Sequence, residues 1–120
     1  MAMQNNLDYA DEHLELRIDT GMARLDGRDL DLTNKEFALL ATLVANEGEV
    51  VFRNDLLSDI WGYPESVRTR TLDVHMRRLR LKLGGYSDRC LETIFGSGYR
   101  FNRFRPVHAF RGYAQVVTAA

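Results

Sequence analysis

The stretch that most limits the fold is Arg68 to Leu83, RTRTLDVHMRRLRLKL. At 3.6 residues per turn, Leu72, Met76, Leu79 and Leu83 share one stripe, and the spacing predicts an amphipathic helix over 68–83. Such a helix is about 24 Å long and must bury its stripe against other elements. The rest of its surface is cationic: Arg68, Arg70, Arg77, Arg78, Arg80 and Lys82 against a single acid, Asp73. Opposite the stripe stand Thr71, Val74, His75 and Arg78. Hydroxyl, methyl, imidazole and guanidinium groups together suit phosphates, thymine methyls and guanine edges. A merely solvated basic face has the same pattern, so the surrounding chain has to decide between them.

Composition narrows the choice. A chain of 120 residues, 45% hydrophobic, can form one small domain with its own core. It has no apolar run near 18 residues, so no membrane span is expected, and the opening MAMQNNLDYADEHLE lacks the apolar centre of a signal peptide. The lone Cys90 rules out an intrachain disulfide. His13, His75 and His108 are too few and too scattered for a metal site, so no cofactor is expected, and a reducing cytoplasm fits these absences. The net charge of −1 conceals an asymmetry. Residues 1–60 carry 5 Lys/Arg against 13 Asp/Glu, a balance of −8, whereas residues 61–120 carry 11 against 4, a balance of +7. A dipolar molecule of this kind offers one face to a polyanion, although an acidic half also serves solubility.

Along the chain, residues 1–13 are a polar, acidic lead-in, expected to be mobile. Alternation in LELRI, MARL and RDLDL, with Asp26-Gly27 as a hairpin turn, predicts three short antiparallel strands near 14–18, 22–25 and 29–32. Thr33-Asn34-Lys35-Glu36 has capping-box spacing and starts a helix that buries Phe37, Leu40, Leu43 and Val44 and ends at Gly48. Val50-Val51-Phe52 is a short extended link, followed by a helix from Asn54 to Trp61 with Leu56, Leu57, Ile60 and Trp61 inward. A loop, Gly62-Tyr63-Pro64-Glu65-Ser66, precedes the basic helix, with Ser66 its expected cap and Gly84-Gly85 its end. Residues 91–95 and 98–102 are expected to form a hairpin across Gly96-Ser97, with Arg100 and Arg103 on its returning side and Tyr99 and Phe101 on opposite faces. On the helix, Asp73 is expected to pair with Arg77 four residues on. The tail, 104–120, is open between an added strand and disorder.

This order of elements is that of an α+β winged helix-turn-helix: an N-terminal antiparallel sheet, three helices and a C-terminal β-hairpin wing. Four blocks, LTNKEFALLATLVANEGEVV, RNDLLSDIWG, RTLDVHMRRLRLKL and IFGSGYRF, resemble in order and spacing the effector domain of OmpR/PhoB-type bacterial response regulators. The resemblance covers about residues 14–103. It implies a cytoplasmic transcription regulator that binds double-stranded DNA, commonly at direct repeats as a head-to-tail dimer. The helix 68–83 would lie in the major groove, and the wing 91–102 on the adjacent backbone or minor groove. The positions matching the family's DNA contacts are Arg70, Thr71, His75, Arg77, Arg78 and Arg80, with Thr93 a wing backbone contact. Val74 and Lys82 on the helix and Arg100 on the wing join the candidate set from their placement on the basic surface. The loop holding Tyr63, Pro64, Glu65 and Ser66 corresponds to the segment that touches RNA polymerase in relatives.

The chain departs from the family where Phe95 replaces the usual wing arginine. Phe95 is expected to pack inward against Tyr99 or Phe101, with Arg100 or Arg103 supplying the wing's charge; the alternative is that it is presented to DNA as an apolar contact. The receiver domain with its phosphorylated aspartate has no counterpart here, so the chain is either an excised effector domain or a stand-alone regulator. A competing reading is a winged-helix interaction module whose basic helix docks on an acidic protein. An enzyme is not expected, because no nucleophile is paired with a base and no ligand set assembles.

Overall fold

The computed structural model describes residues 8–105. An N-terminal sheet of order β1-β2-β3-β4 comprises Tyr9–Ala10, Leu14–Arg17, Met22–Leu25 and Arg28–Asp29, all antiparallel. Helices α1 (Asn34–Ala45), α2 (Arg53–Trp61), α3 (Thr71–Leu83) and α4 (Gly85–Cys90) follow. Between and after them, β5 (Val50–Phe52), β6 (Leu91–Ile94) and β7 (Gly98–Phe101) build a second antiparallel sheet of order β5-β7-β6.

The core forms where these layers meet. The stripe Leu72, Met76, Leu79 and Leu83 is fully buried, joined by Leu39, Leu40 and Leu43 from α1 and by Leu14, Leu16, Leu56 and Phe101. Each such side chain contributes about 1.5–3 kcal/mol of burial free energy, which seats α3 firmly and orients its other face outward. The capping box is present: the Thr33 hydroxyl accepts from Glu36 N–H at 3.2 Å, and Glu36 Oε1 accepts from Thr33 N–H at 3.0 Å. Gly62, at φ 73°, closes α2 in the left-handed conformation that only glycine adopts without strain.

Several expectations change. The lead-in contains a strand: Tyr9 is buried, edge-on to Phe101 at 5.3 Å between centroids. The Asp11 carboxylate accepts from Tyr9 and Tyr86 hydroxyls, both at 2.6 Å, and from the backbone of His13 and Leu14, which ties the first turn to α4. The link Val50–Phe52 is a strand, because Val50, Val51 and Phe52 pair with Arg100, Tyr99 and Gly98. Residues 30–32 lie outside the sheet, and α1 ends at Ala45, before Gly48. Gly84-Gly85 does end α3, but a fourth, short helix follows it and buries Tyr86 and Cys90. Tyr99 and Phe101 are both buried, since residues two apart in a strand share a face. Phe104 also packs on the core, its ring 4.4 Å from His13 and 6.0 Å from Tyr86 between centroids. Most of the tail, 106–120, lies outside the described residues.

Candidate nucleic-acid interface

Helix α3 begins at Thr71, three residues later than its charge pattern suggests, and Ser66 is not its cap. Arg70 occupies the cap position with no side-chain bond, while the Thr69 hydroxyl accepts from Thr71 N–H at 3.1 Å and lies 2.8 Å from the Thr71 hydroxyl. A threonine pair therefore closes the turn before the helix.

Two ionic contacts hold α3 against its neighbours. Asp73 pairs with Arg53 on α2 rather than with Arg77: the guanidinium donates to both carboxylate oxygens, at 2.7 and 3.4 Å. The Tyr99 hydroxyl also donates to Asp73, at 3.3 Å. Arg53 beside it holds the Asp73 carboxyl below its usual range. A tertiary partner with two aligned donors outcompetes a helical neighbour, whose exposed pairing is worth about 0.2–0.5 kcal/mol. Farther along, Arg80 donates to the Thr93 hydroxyl at 2.8 Å and to the Leu91 carbonyl at 3.3 Å, with its guanidinium 5.6 Å from the Tyr99 ring centre. Arg80 and Thr93, both expected at DNA, thus brace the wing against the helix. Lys82, also expected there, turns to the opposite side: its ammonium donates to the buried Glu36 carboxylate at 2.6 Å and to the Asp31 carbonyl at 2.8 Å.

What remains outward is a coherent surface. Arg70, Val74, Arg77, Arg78 and Leu81 are exposed along one side of α3. The guanidinium groups of Arg70, Arg77 and Arg78 form no hydrogen bond or ion pair with another described residue. His75 is half-buried, with Nδ1 2.8 Å from the Thr71 carbonyl oxygen and its ring 4.9 Å from Trp61, whose own ring is half-buried against the core. The Nδ1 contact requires that nitrogen to carry the proton, leaving Nε2 to meet a partner outside the helix. On the wing, Arg100 donates twice to Glu92, at 2.8 and 3.0 Å, so its charge is largely balanced within the hairpin. In the loop, Pro64, Glu65 and Ser66 are exposed while Tyr63 packs partly on the core.

The wing tip departs furthest from expectation. Phe95 does not pack inward; it is 94% exposed. Ser97 N–H donates to the Ile94 carbonyl at 2.9 Å across a turn in which Gly96 takes φ 78°, and this places Phe95 at the outer corner. Sequence reasoning also missed Arg53 as the anchor of α3. Its only signal would have been an isolated arginine in an otherwise acidic half. Among the described residues no group of three or more His, Cys, Asp or Glu could hold a metal, and no helix is long and apolar enough to cross a membrane.

Comparison with known proteins places this geometry. Residues 27–101 match the family model described as "Transcriptional regulatory protein, C terminal". The response regulator ArlR of Staphylococcus saprophyticus is 45% identical over 76 residues, 62% of this chain and 34% of that protein. The chain thus spans about a third of the length of the curated relatives it matches. Among solved structures, the DNA-binding domain of CpxR from E. coli is 30% identical with a TM-score of 0.71, covering 78% of this chain and 94% of that one. The Klebsiella pneumoniae RstA DNA-binding domain, solved in complex with the RstA box, shares the fold at 24% identity and a TM-score of 0.73, over 82% and 98% of the two chains.

Proposed function

Because the chain belongs to the OmpR/PhoB-type family of transcriptional regulatory C-terminal domains, DNA-binding modules and not enzymes, we propose that it reads duplex DNA with the outer face of α3. The observation that carries this reading is the exposed stripe of Arg70, Val74, Arg77 and Arg78, with three guanidinium groups unpaired within the described fold while the neighbouring Arg53, Arg80 and Lys82 are all engaged. Three free cations on a seated helix are available to the phosphates of a duplex, and Val74 between them supplies a methyl surface for a thymine. Thr71 lines the same side as a phosphate donor, and His75 beside it offers Nε2 as an acceptor for a donor on the duplex. Arg80, Thr93 and Arg100 act at one remove, holding the wing in position.

The two roles on the helix separate experimentally. Arg78→Ala should weaken binding to the preferred site by about 1–3 kcal/mol and relax preference at one base pair. Arg77→Ala should weaken all duplexes alike and reduce the slope of log K against log salt by about one. Binding sites would first be selected from random duplexes, and affinities then measured across a salt series. Equal losses on selected and random DNA would reassign Arg78 to phosphate. A protein-docking module would enrich no sequence at all.

The finer points of the reading are also proposals. The acidic N-terminal sheet and the basic C-terminal half favour a head-to-tail pair on direct repeats, and the selected sites should then show half-sites about 10–10.5 bp apart. The exposed Pro64-Glu65-Ser66 segment, with Tyr63 at its base, faces RNA polymerase in this scheme. Substitution of Glu65 should lower transcription from a reporter with DNA affinity intact; matched loss of both would leave the loop a support for α3. Such a regulator works in the bacterial cytoplasm, beside the chromosome.

A further inference from the structure

We propose that Phe95 is an apolar wedge at the wing tip, which presses into the minor groove beside the α3 footprint and opens a deformable base step. The inference rests on duplex binding as read above and adds the residue that makes the second contact.

An exposed phenyl ring is unremarkable on a mobile loop, but this one is held in place. Gly96 takes a left-handed conformation at the corner, and Ser97 N–H closes the turn onto Ile94. The Ser97 carbonyl accepts from Arg53 N–H at 3.0 Å, pinning the tip to the start of α2. One residue on, Gly98 lies so close to β5 that a Cβ there would collide with the Val51 carbonyl. The hairpin thus presents an apolar side chain on a rigid corner, without the entropy loss of ordering a loop.

Position and charge indicate the occupant. Arg53 binds Ser97 through its backbone and Asp73 through its guanidinium, so the wing tip and the first turn of α3 share one anchor. The tip therefore sits at the end of the molecule where Arg70 begins the unpaired cationic face. A polyanion on that face runs past Phe95, and the flanking Gly96 and Ser97 are slim enough to follow the ring into a groove about 6 Å wide. Among the described residues the wing has no free cation near the tip, because Arg100 is paired with Glu92 and Arg80 is turned to Thr93. Its contact with DNA is therefore made by the hydrocarbon. Apolar side chains inserted from the minor groove act by partly unstacking a step, which favours flexible pyrimidine–purine steps such as TA or CA/TG.

An uncharged contact has a signature that a phosphate contact lacks. The full chain, Phe95→Ala, Phe95→Leu and Phe95→Arg would be compared on the selected duplex by fluorescence anisotropy across a salt series. A 2-aminopurine would replace one base at the step facing the wing. Because the ring is almost wholly exposed, none of these changes should disturb folding. Phe95→Ala should weaken binding about tenfold with an unchanged salt slope. It should also abolish the rise in 2-aminopurine fluorescence that the unaltered protein produces, while Phe95→Leu keeps part of both. Phe95→Arg should steepen the slope by about one, since the tip then meets phosphate. Unchanged affinity for Phe95→Ala, or an unaltered slope for Phe95→Arg, would overturn the proposal. A Phe95→Ala defect confined to self-association in sedimentation without DNA would also overturn it, and assign the ring to a second copy of the chain. If the unaltered protein prefers no duplex, the reading of α3 fails as well, so the two failures are told apart.

Discussion

Gly98→Ala should destabilise the domain by about 3 kcal/mol or more and abolish wing-dependent DNA binding. The added Cβ would meet the Val51 carbonyl oxygen and approach Phe52 Cα at 3.0 Å, and both are backbone atoms of β5 that no rotamer change can move. The obstruction lies at the Phe52–Gly98 pair, where β5 meets β7, and Gly98 also pairs with Ile94 on β6. Relief requires β5 and β7 to separate, which forfeits their ladder bonds and loosens Tyr99 and Phe101 in the core. Denaturant unfolding gives the loss directly, and hydrogen exchange should show protection falling first at 50–52 and 98–101. An unfolding midpoint within experimental error of the unaltered protein would mean that the strands tolerate the wider spacing, and that the close approach is not needed.

Glu36→Ala should cost about 2–4 kcal/mol, because one carboxylate completes the capping box of α1 and neutralises Lys82 from α3. Glu36 is 1% exposed. Burial alone would push its carboxyl up, but the Lys82 ammonium and the Thr33 N–H together hold it below the usual range. A carboxyl lowered on folding stabilises the folded state above its unfolded pKa, and that contribution is lost as pH falls through the folded value. Asp73, lowered chiefly by Arg53, loses its contribution in the same direction. Glu36→Gln should therefore be less stable than the unaltered protein at pH 7, with the gap narrowing as the pH is taken towards 3. Urea midpoints over that range measure it, and a gap that stays constant would show that the Glu36 charge does not stabilise the fold.

Local chemistry made much of this protein legible from its residues. The stripe of α3, the capping box at Thr33, the glycine stop at Gly62 and the hairpin across Gly96-Ser97 each depend on residues close together in the chain. Their spacing determined them whatever packed around them. The cationic face was legible for the same reason, since helical periodicity alone sorts Val74, Arg77 and Arg78 from the buried stripe. Which cations stay free was not legible. Arg80 and Lys82 lie on the same helix as Arg77 and Arg78, yet Arg80 turns to Thr93, 13 residues on, and Lys82 to Glu36, 46 residues back. Asp73 likewise passes over Arg77 for Arg53, 20 residues away.

Partners at such separations are chosen by how the layers stack, and no local pattern encodes that choice. Strand β5 is the same case, because three residues alternate too briefly to announce a strand until β7 pairs with them. The wing tip shows the limit most directly. Hydrophobicity alone argues that Phe95 turns inward, but the ring stands in solvent at the corner of a turn in which Gly96 is left-handed. The residues by themselves determined that a basic helix with a buried stripe would be set beside a hairpin. Only the tertiary structure decided which of its charges, and which ring, face outward, because that depends on contacts between segments far apart in the chain.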